Sequence, residues 1–172
     1  MEIRRVRPDE WQALKALRLR ALASDPDAFG GRLEDAIEHD DDLWRKRAAA
    51  GPADATTFVA EAADGTLVGM AVGAPAPDHP DAAGLFGMWV APNARGQGIG
   101  GALVDAVVGW AASVGYELIG LGVTTTNTAA IAFYERKGFA DLGERMPLRE
   151  GSDLEIRLMG ARVSALLDAP SS

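Results

Sequence analysis

A chain of 172 residues, 48% hydrophobic and 24% charged, with 20 Gly and 9 Pro, has the composition of one compact domain able to bury a core and carry an enzyme site. The absence of Cys excludes disulfides, a thiol nucleophile and thiolate metal sites, and two histidines, His39 and His79, are too few for a His-rich metal centre. Seventeen Lys and Arg against 25 Asp and Glu give a formal net charge of −8, a field that repels nucleic acid and anionic lipid, so an anionic cofactor has to be held by local donors. The first five residues lack an apolar signal core and no apolar run approaches a membrane span, so a cytoplasmic protein with neither nucleic-acid nor membrane partners is expected.

In chain order, Met1–Val6 reads as a first strand and Pro8-Asp9-Glu10 as a helix start. Trp11, Leu14, Leu17 and Ala21 recur at helical spacing, and Ser24-Asp25-Pro26-Asp27 breaks that helix. Ala28-Phe29-Gly30-Gly31 links to a second helical region, about Arg32–Ala50, stopped by Gly51-Pro52. Inside it, Asp40-Asp41-Asp42 reads as a capping cluster and not as a metal site, because the spacing and glycine of a calcium loop are missing. Thr57–Ala60 and Leu67–Val72 form two strands joined through Asp64-Gly65, Pro75–Asp81 reads as a loop, and Leu85–Val90 is a central strand. Ile99–Val114 is a long helix, Leu118–Val123 a strand, and Ala129–Lys137 a helix ended by Gly138. This alternation implies one parallel strand pair. Phe139–Gly143 and Asp153–Met159 complete the set, with residues 1–160 as one domain and 161–172 as a tail.

The strongest local feature is Arg95-Gly96-Gln97-Gly98-Ile99-Gly100-Gly101, between a buried strand and the start of a helix. Glycines let backbone N–H groups turn inward and the helix N-terminus adds partial positive charge, so a pyrophosphate can be held without a positive protein. Gly96, Gly98 and Gly101 also fit a GxGxxG dinucleotide fingerprint. Three features oppose that reading: Ala91 to Arg95 separate strand from glycines, the unit follows a meander, and no strand ends in an acid placed to take a ribose. A GKS/T phosphate loop does not occur.

The loop resembles the signature of the GNAT superfamily of acetyl-CoA-dependent N-acetyltransferases, with Arg95, Gly98 and Gly100 in the defining places. A second block, Asn127 to Phe139, is similar to the family's NxxAxxFYxxxGF segment through Asn127, Ala130, Phe133, Tyr134, Gly138 and Phe139. The resemblance extends from Met1 to about Met159. It implies an α/β (α+β) acyltransferase fold: a mixed, mostly antiparallel sheet of six to seven strands with a splayed parallel pair, flanked by about four helices.

By the same resemblance, acetyl-CoA is the co-substrate and no metal is needed. Its pantetheine arm would pair with the backbone of Met88 and Val90, exposed as a strand edge, and Gly87 would mark a bulge that opens the gap. Arg95, Gly96, Gln97, Gly98, Ile99, Gly100 and Gly101 would hold the pyrophosphate, with Asn127 and Ala130 beside the arm. Arg136 and Lys137 face either the ribose phosphate or solvent. Tyr134 corresponds to the family's proton donor for departing coenzyme A, and an N–H near Val90 would polarise the acetyl carbonyl.

Many relatives carry a Glu on the strand before the glycine loop, where Gly84-Leu85-Phe86-Gly87 offers none. Glu34, Asp35, His79 and Asp81 are the candidate bases, with Glu34 first among them and a water relay as the alternative. The expected activity is acetyl transfer to a primary amine of a small molecule, peptide or protein, by direct attack in a ternary complex. Two alternatives stand beside it: a non-catalytic acyl-CoA-binding or sensing domain, and a nicotinamide-dinucleotide enzyme. Leu154–Met159 alternates well enough to pair within one sheet or across a homodimer.

Overall fold

The apolar segments of this chain assemble into one seven-stranded sheet. The structure, a computed structural model, describes residues 1–51 and 53–168. The strands are β1 (Glu2–Arg5), β2 (Thr56–Glu61), β3 (Leu67–Ala76), β4 (His79–Val90), β5 (Leu118–Thr124), β6 (Ala140–Pro147) and β7 (Glu155–Arg162). Their order across the sheet is β1-β2-β3-β4-β5-β7-β6. Every neighbouring pair is antiparallel except β4 and β5. One parallel pair in a meander is incompatible with a doubly wound dinucleotide fold, which removes the GxGxxG reading of the glycine loop.

Among the described residues the α-helices are α1 (Trp11–Ser24), α2 (Leu33–Glu38), α3 (Asp41–Ala49), α4 (Ile99–Val114), α5 (Thr128–Arg136) and α6 (Val163–Leu167), six where about four were expected. One reason is that the region expected as a single helix splits after Glu38. The Asp40 carboxylate accepts the Leu43 N–H at 2.9 Å and starts a new helix, an N-cap that stabilises by about 1 kcal/mol. The acidic triplet therefore caps as expected, and in addition Asp41 pairs with Lys15 and Asp42 with Arg45. The other reason lies at the C-terminal end. Of the stretch read as tail from residue 161, Ala161 and Arg162 finish β7 and Val163–Leu167 form α6 with Val163 buried, while residues 169–172 lie outside the described residues.

The expected loop Pro75–Asp81 is also different. β3 runs on to Ala76 and β4 begins at His79, with Ala76 opposite His79, so only Pro77 and Asp78 form the turn. The final strand, expected to end at Met159, reaches Arg162 and lies between β5 and β6, so both its edges are paired inside one sheet.

Side-chain alternation on β3 decides which helix covers which face. Gly69 and Gly73 turn toward α4, where Leu103 and Trp110 come so close that a Cβ on Gly73 would lie 2.4 Å from the indole. Met70 and Val72 turn the other way, toward Gly87 and the Arg18 side chain of α1. α1 and α4 therefore flank the sheet from opposite sides. The α4 face buries Leu103, Val104, Val107, Val108 and Trp110, each worth roughly 1.5–3 kcal/mol of transfer free energy. The α1 face buries Leu14, Leu17, Ala21 and Leu22.

Candidate active site

The parallel ladder is short. β4 and β5 pair only at Ala82–Leu118, Ala83–Ile119 and Gly84–Gly120, although β4 continues to Val90 and β5 to Thr124. Beyond Gly84 the two strands part and leave a gap in the middle of the sheet. On its other edge β4 stays paired with β3, but the register there slips by one residue between Met70–Trp89 and Val72–Phe86. Gly87 sits in this slip with φ +57°, a glycine bulge that bends β4 away from β5, as the sequence led us to expect.

Past the bulge, the Ala91 N–H donates to Val68 O of β3 at 2.8 Å. Alternation then turns the peptide groups of Val90 to the gap, where the Val90 carbonyl accepts from Arg95 Nε at 2.9 Å. Met88 turns its side chain toward α4 and α5, within reach of Gly100 and Phe133, whereas Gly87 faces α1. The gap thus connects the two faces of the sheet.

The glycine loop crosses the mouth of this gap. Gly96 and Gly98 both have φ +77°, and a Cβ at either would meet open space, so these positions demand glycine for backbone shape while leaving room in front of it. Gly98 caps α4, whose first-turn N–H groups begin at the buried Ile99. Gln97 is exposed, and Gly101 likewise borders open space. Gly100 differs: a Cβ there would lie 2.9 Å from Met88 Cε, which makes it the contact that lets α4 settle against β4. Open, N–H-lined turns beside an exposed strand edge fit a pyrophosphate and its amide-bearing arm.

Arg95 is held before any ligand arrives. Besides Val90 O, its guanidinium pairs with Asp25 Oδ2 at 2.8 Å, and the Trp89 indole N–H donates to the same oxygen at 2.7 Å. Ser24 Oγ completes the set at 2.7 Å. Partial burial alone would raise the Asp25 carboxyl; the bonds from Trp89, Ser24 and Arg95 outweigh it and hold the group below its ordinary value. Two residues further on, the Asp27 carbonyl accepts from Thr124 Oγ1 at the end of β5. The short 3₁₀ turn Pro26–Ala28 therefore ties the ends of the two diverging strands together. In the sequence this segment reads only as a helix breaker, and no local pattern marks Asp25 as a partner of residues 64 and 70 positions away.

Tyr134, on α5, is 7% exposed and packs edge-on against Phe133 and Phe139. No described protein group hydrogen-bonds its hydroxyl, although a buried tyrosine usually finds a partner. Burial pushes its ionisation well above the ordinary phenol value, so the group keeps its proton throughout the physiological range. Asn127 accepts the Ala130 N–H at 3.1 Å and so caps α5, fixing the helix that carries Tyr134. Lys137 pairs with Asp105 of α4 and braces the two helices, while Arg136 is exposed.

A cleft of about 620 Å³ opens among the end of α1, the start of α2 and the β6–β7 connection, with Leu22, Pro26, Gly31, Glu34 and Arg149 in its walls. Arg149 Nη1 donates to Phe29 O at 2.9 Å and holds the far side in place. Glu34 stands exposed on this cleft; Asp35 follows it on α2 but is not in the wall. His79 and Asp81 are removed from candidacy. They lie at the first turn of β4, nine and seven positions before Met88, roughly 20–30 Å away along an extended strand. Among the described residues no group of three or more His, Asp or Glu side chains is arranged to hold a metal ion.

Residues 15–139 match the model of the acetyltransferase (GNAT) family. The chain is 35% identical over 140 residues to streptothricin acetyltransferase of Streptomyces lavendulae, a match covering 76% of this chain and 62% of that protein. It thus spans less than two thirds of the length of that curated relative. A GCN5-related N-acetyltransferase from Kribbella flavida superposes with TM-score 0.74 at 26% identity, over 94% of this chain and 96% of that one. The Salmonella typhimurium protein yncA, solved with acetyl-CoA, superposes with TM-score 0.72 at 20% identity, over 95% and 94% of the two chains, which is a likeness of fold.

Proposed function

This chain belongs to the GNAT acetyltransferase family, and from that premise we propose that it transfers the acetyl group of acetyl-CoA to a primary amine in a ternary complex. The observation that carries the reading is the parallel ladder that stops after three pairs with an open glycine loop across its mouth. Bound acetyl-CoA supplies an acetyl group activated as a thioester. The first-turn N–H groups from Gly98 to Gly101, with Gly96 and Gln97, receive the pyrophosphate, and the peptide edges of Met88 and Val90 pair with the arm. Ala130 and Asn127 flank that arm at the start of α5.

The Val90 N–H takes up negative charge developing on the carbonyl oxygen. The Tyr134 hydroxyl, protonated and without a protein partner, gives its proton to the departing sulfur as the new C–N bond forms. Glu34, on the cleft opposite, receives the proton lost by the amine, directly or through water. The support for Glu34 is its place on that cleft, together with the exclusion of His79 and Asp81 by distance. The reading includes a cytoplasmic protein, for which the net charge of −8 and the lack of any described helix long and apolar enough to cross a membrane are the support. It also includes a homodimer, for which β6 offers an unpaired sheet edge.

Thermal unfolding with and without excess acetyl-CoA, with NADH in parallel, tests the cofactor. At a hundredfold excess over Kd a native-state ligand adds about 2.7 kcal/mol, a rise of several degrees. A rise with acetyl-CoA alone, followed by free thiol release with an amine, is expected. A rise without thiol release from any amine would leave a binding domain, and a rise with NADH alone would overturn the proposal.

A further inference from the structure

The α1 helix carries a charge in its buried stripe. Leu14, Leu17, Ala21 and Leu22 face the core, and Arg18 stands among them at i+4 from Leu14 and i−4 from Leu22. Its guanidinium stacks over the Phe29 ring at 4.4 Å from the centroid. Nη1 is shut off from solvent and has no hydrogen-bond partner among the described residues. The same nitrogen lies 3.5 Å from where a Cβ on Gly87 would stand, at the bulge where β4 turns from β5. Nη2 lies 3.5 Å from the corresponding point on Gly31, in the wall of the cleft.

Among the described residues no carboxylate pairs with this cation. The charged group that acts on it is Arg47, which repels it, and burial together with Arg47 pulls the guanidinium down to about 10, still protonated at neutral pH. Holding a guanidinium away from water without a counter-charge is costly, and a native protein usually supplies the missing partner. The charged groups in the cleft wall are Arg32, Arg149 and Glu34, a net positive set on a chain that is net negative, and Arg18 stands directly behind Gly31 of that wall. A planar fork of donors between the cleft and the gap matches a carboxylate.

We propose that Arg18 anchors a carboxylate of the acceptor, so that the preferred acceptor is an amine bearing its own carboxylate, such as a free amino acid, and not a polycation. This inference rests on the acetyltransferase reading and adds the substrate class to it. Arg18 would hold the acid end where Gly31 lets Nη2 border the cleft, while the amino group reaches the gap; Phe29 keeps the guanidinium flat, and the shut-off Nη1 lies at Gly87.

The test compares free α-amino acids with their carboxamides and with the corresponding decarboxylated amines, in the full chain with acetyl-CoA, reading kcat/KM from thiol release and ligand-induced Tm shifts with coenzyme A present. The acids are expected to exceed their amides by about tenfold or more in kcat/KM, the scale of one charge-assisted hydrogen bond, chiefly through KM. In Arg18→Gln that ratio is expected to fall toward one, and in Arg18→Lys to lie between. A folding defect in the variants leaves the comparison within the parent chain intact. Absence of preference in the parent, whether acid and amide respond equally or neither responds, overturns the carboxylate anchor, as does preference for the decarboxylated amines. Loss of the acetyl-CoA shift itself would instead sink the acetyltransferase reading, and the anchor with it.

Discussion

The two sides of the gap are built by different means. On the α4 side the site is backbone: the Met88–Val90 edge, the glycine turns and the first N–H groups of α4, all within fourteen residues of one another. On the α1 side it is side chains brought from far apart, with Asp25 meeting Trp89 and Arg95, Thr124 meeting Asp27, and Arg149 meeting Phe29. A backbone site needs a local conformation, and a local conformation needs particular residues at fixed spacing. A side-chain site needs only that distant positions meet, which leaves no spacing to read.

The sharpest test of this division is Tyr134, a side chain carried on α5. Tyr134→Phe keeps the ring between Phe133 and Phe139 and removes only the hydroxyl proposed as proton donor. A fall in kcat of about a hundredfold, with acetyl-CoA affinity within a few-fold, is expected in steady-state kinetics. An unchanged kcat would place the chemistry elsewhere and merge Tyr134 with the core.

Next in size is a pair of glycines in the same part of the chain. Gly98→Ala puts a methyl into open space at φ +77° and is expected to cost about 1–2 kcal/mol, roughly 2–8 °C in Tm, and to weaken acetyl-CoA. Gly109→Ala puts the same methyl into open space inside α4 and is expected to stabilise by about 0.5–1 kcal/mol. Equal melting shifts in the two variants would mean that backbone shape is not what the loop requires.

The smallest effect belongs to the side-chain half. Asp25→Asn weakens the hold on Arg95 and Trp89 and is expected to cost about 1 kcal/mol at pH 7, since the pair is partly exposed. The folded carboxyl titrates below its unfolded value near pH 4, so its contribution is full above that pH and fades as the pH falls through the folded value. Melting curves of parent and variant should therefore converge as the solution is acidified. Curves that stay apart at low pH would assign the effect to shape and not to charge.

The same division decides what the sequence discloses. The α4 helix, from Ile99 to Val114, is readable to the residue because its apolar positions, the glycine before it and Gly115 after it all agree. The gap itself is foreseeable through the family resemblance, with Gly87 as the bulge that opens it and the order of strand and helix giving the parallel pair. Asp40 as a cap is foreseeable too, but the break it causes after Glu38 is not, since Arg32–Ala50 keeps a helical pattern across it. The Pro75–Asp81 segment misleads because its prolines suggest a loop, whereas Pro75 and Pro80 fit a protruding β3–β4 hairpin with a two-residue turn. Asp25, Thr124 and Arg149 carry no local sign. Arg18 carries one, a charge on an apolar stripe, visible once the stripe is traced past Leu17.

One consequence of the short turn from Asp25 to Asp27 concerns the two substrates together. Its ends grip the tips of both diverging strands, and Pro26 between them lies in the wall of the cleft. A ligand that spreads the strands shifts this tether, and a ligand that fills the cleft presses on it. Whatever coupling the tether transmits has one size in both directions, since linkage between two binding sites is reciprocal. A tether of three residues that need not touch a reacting atom therefore offers a physical route by which occupancy of the gap and occupancy of the cleft bear on each other.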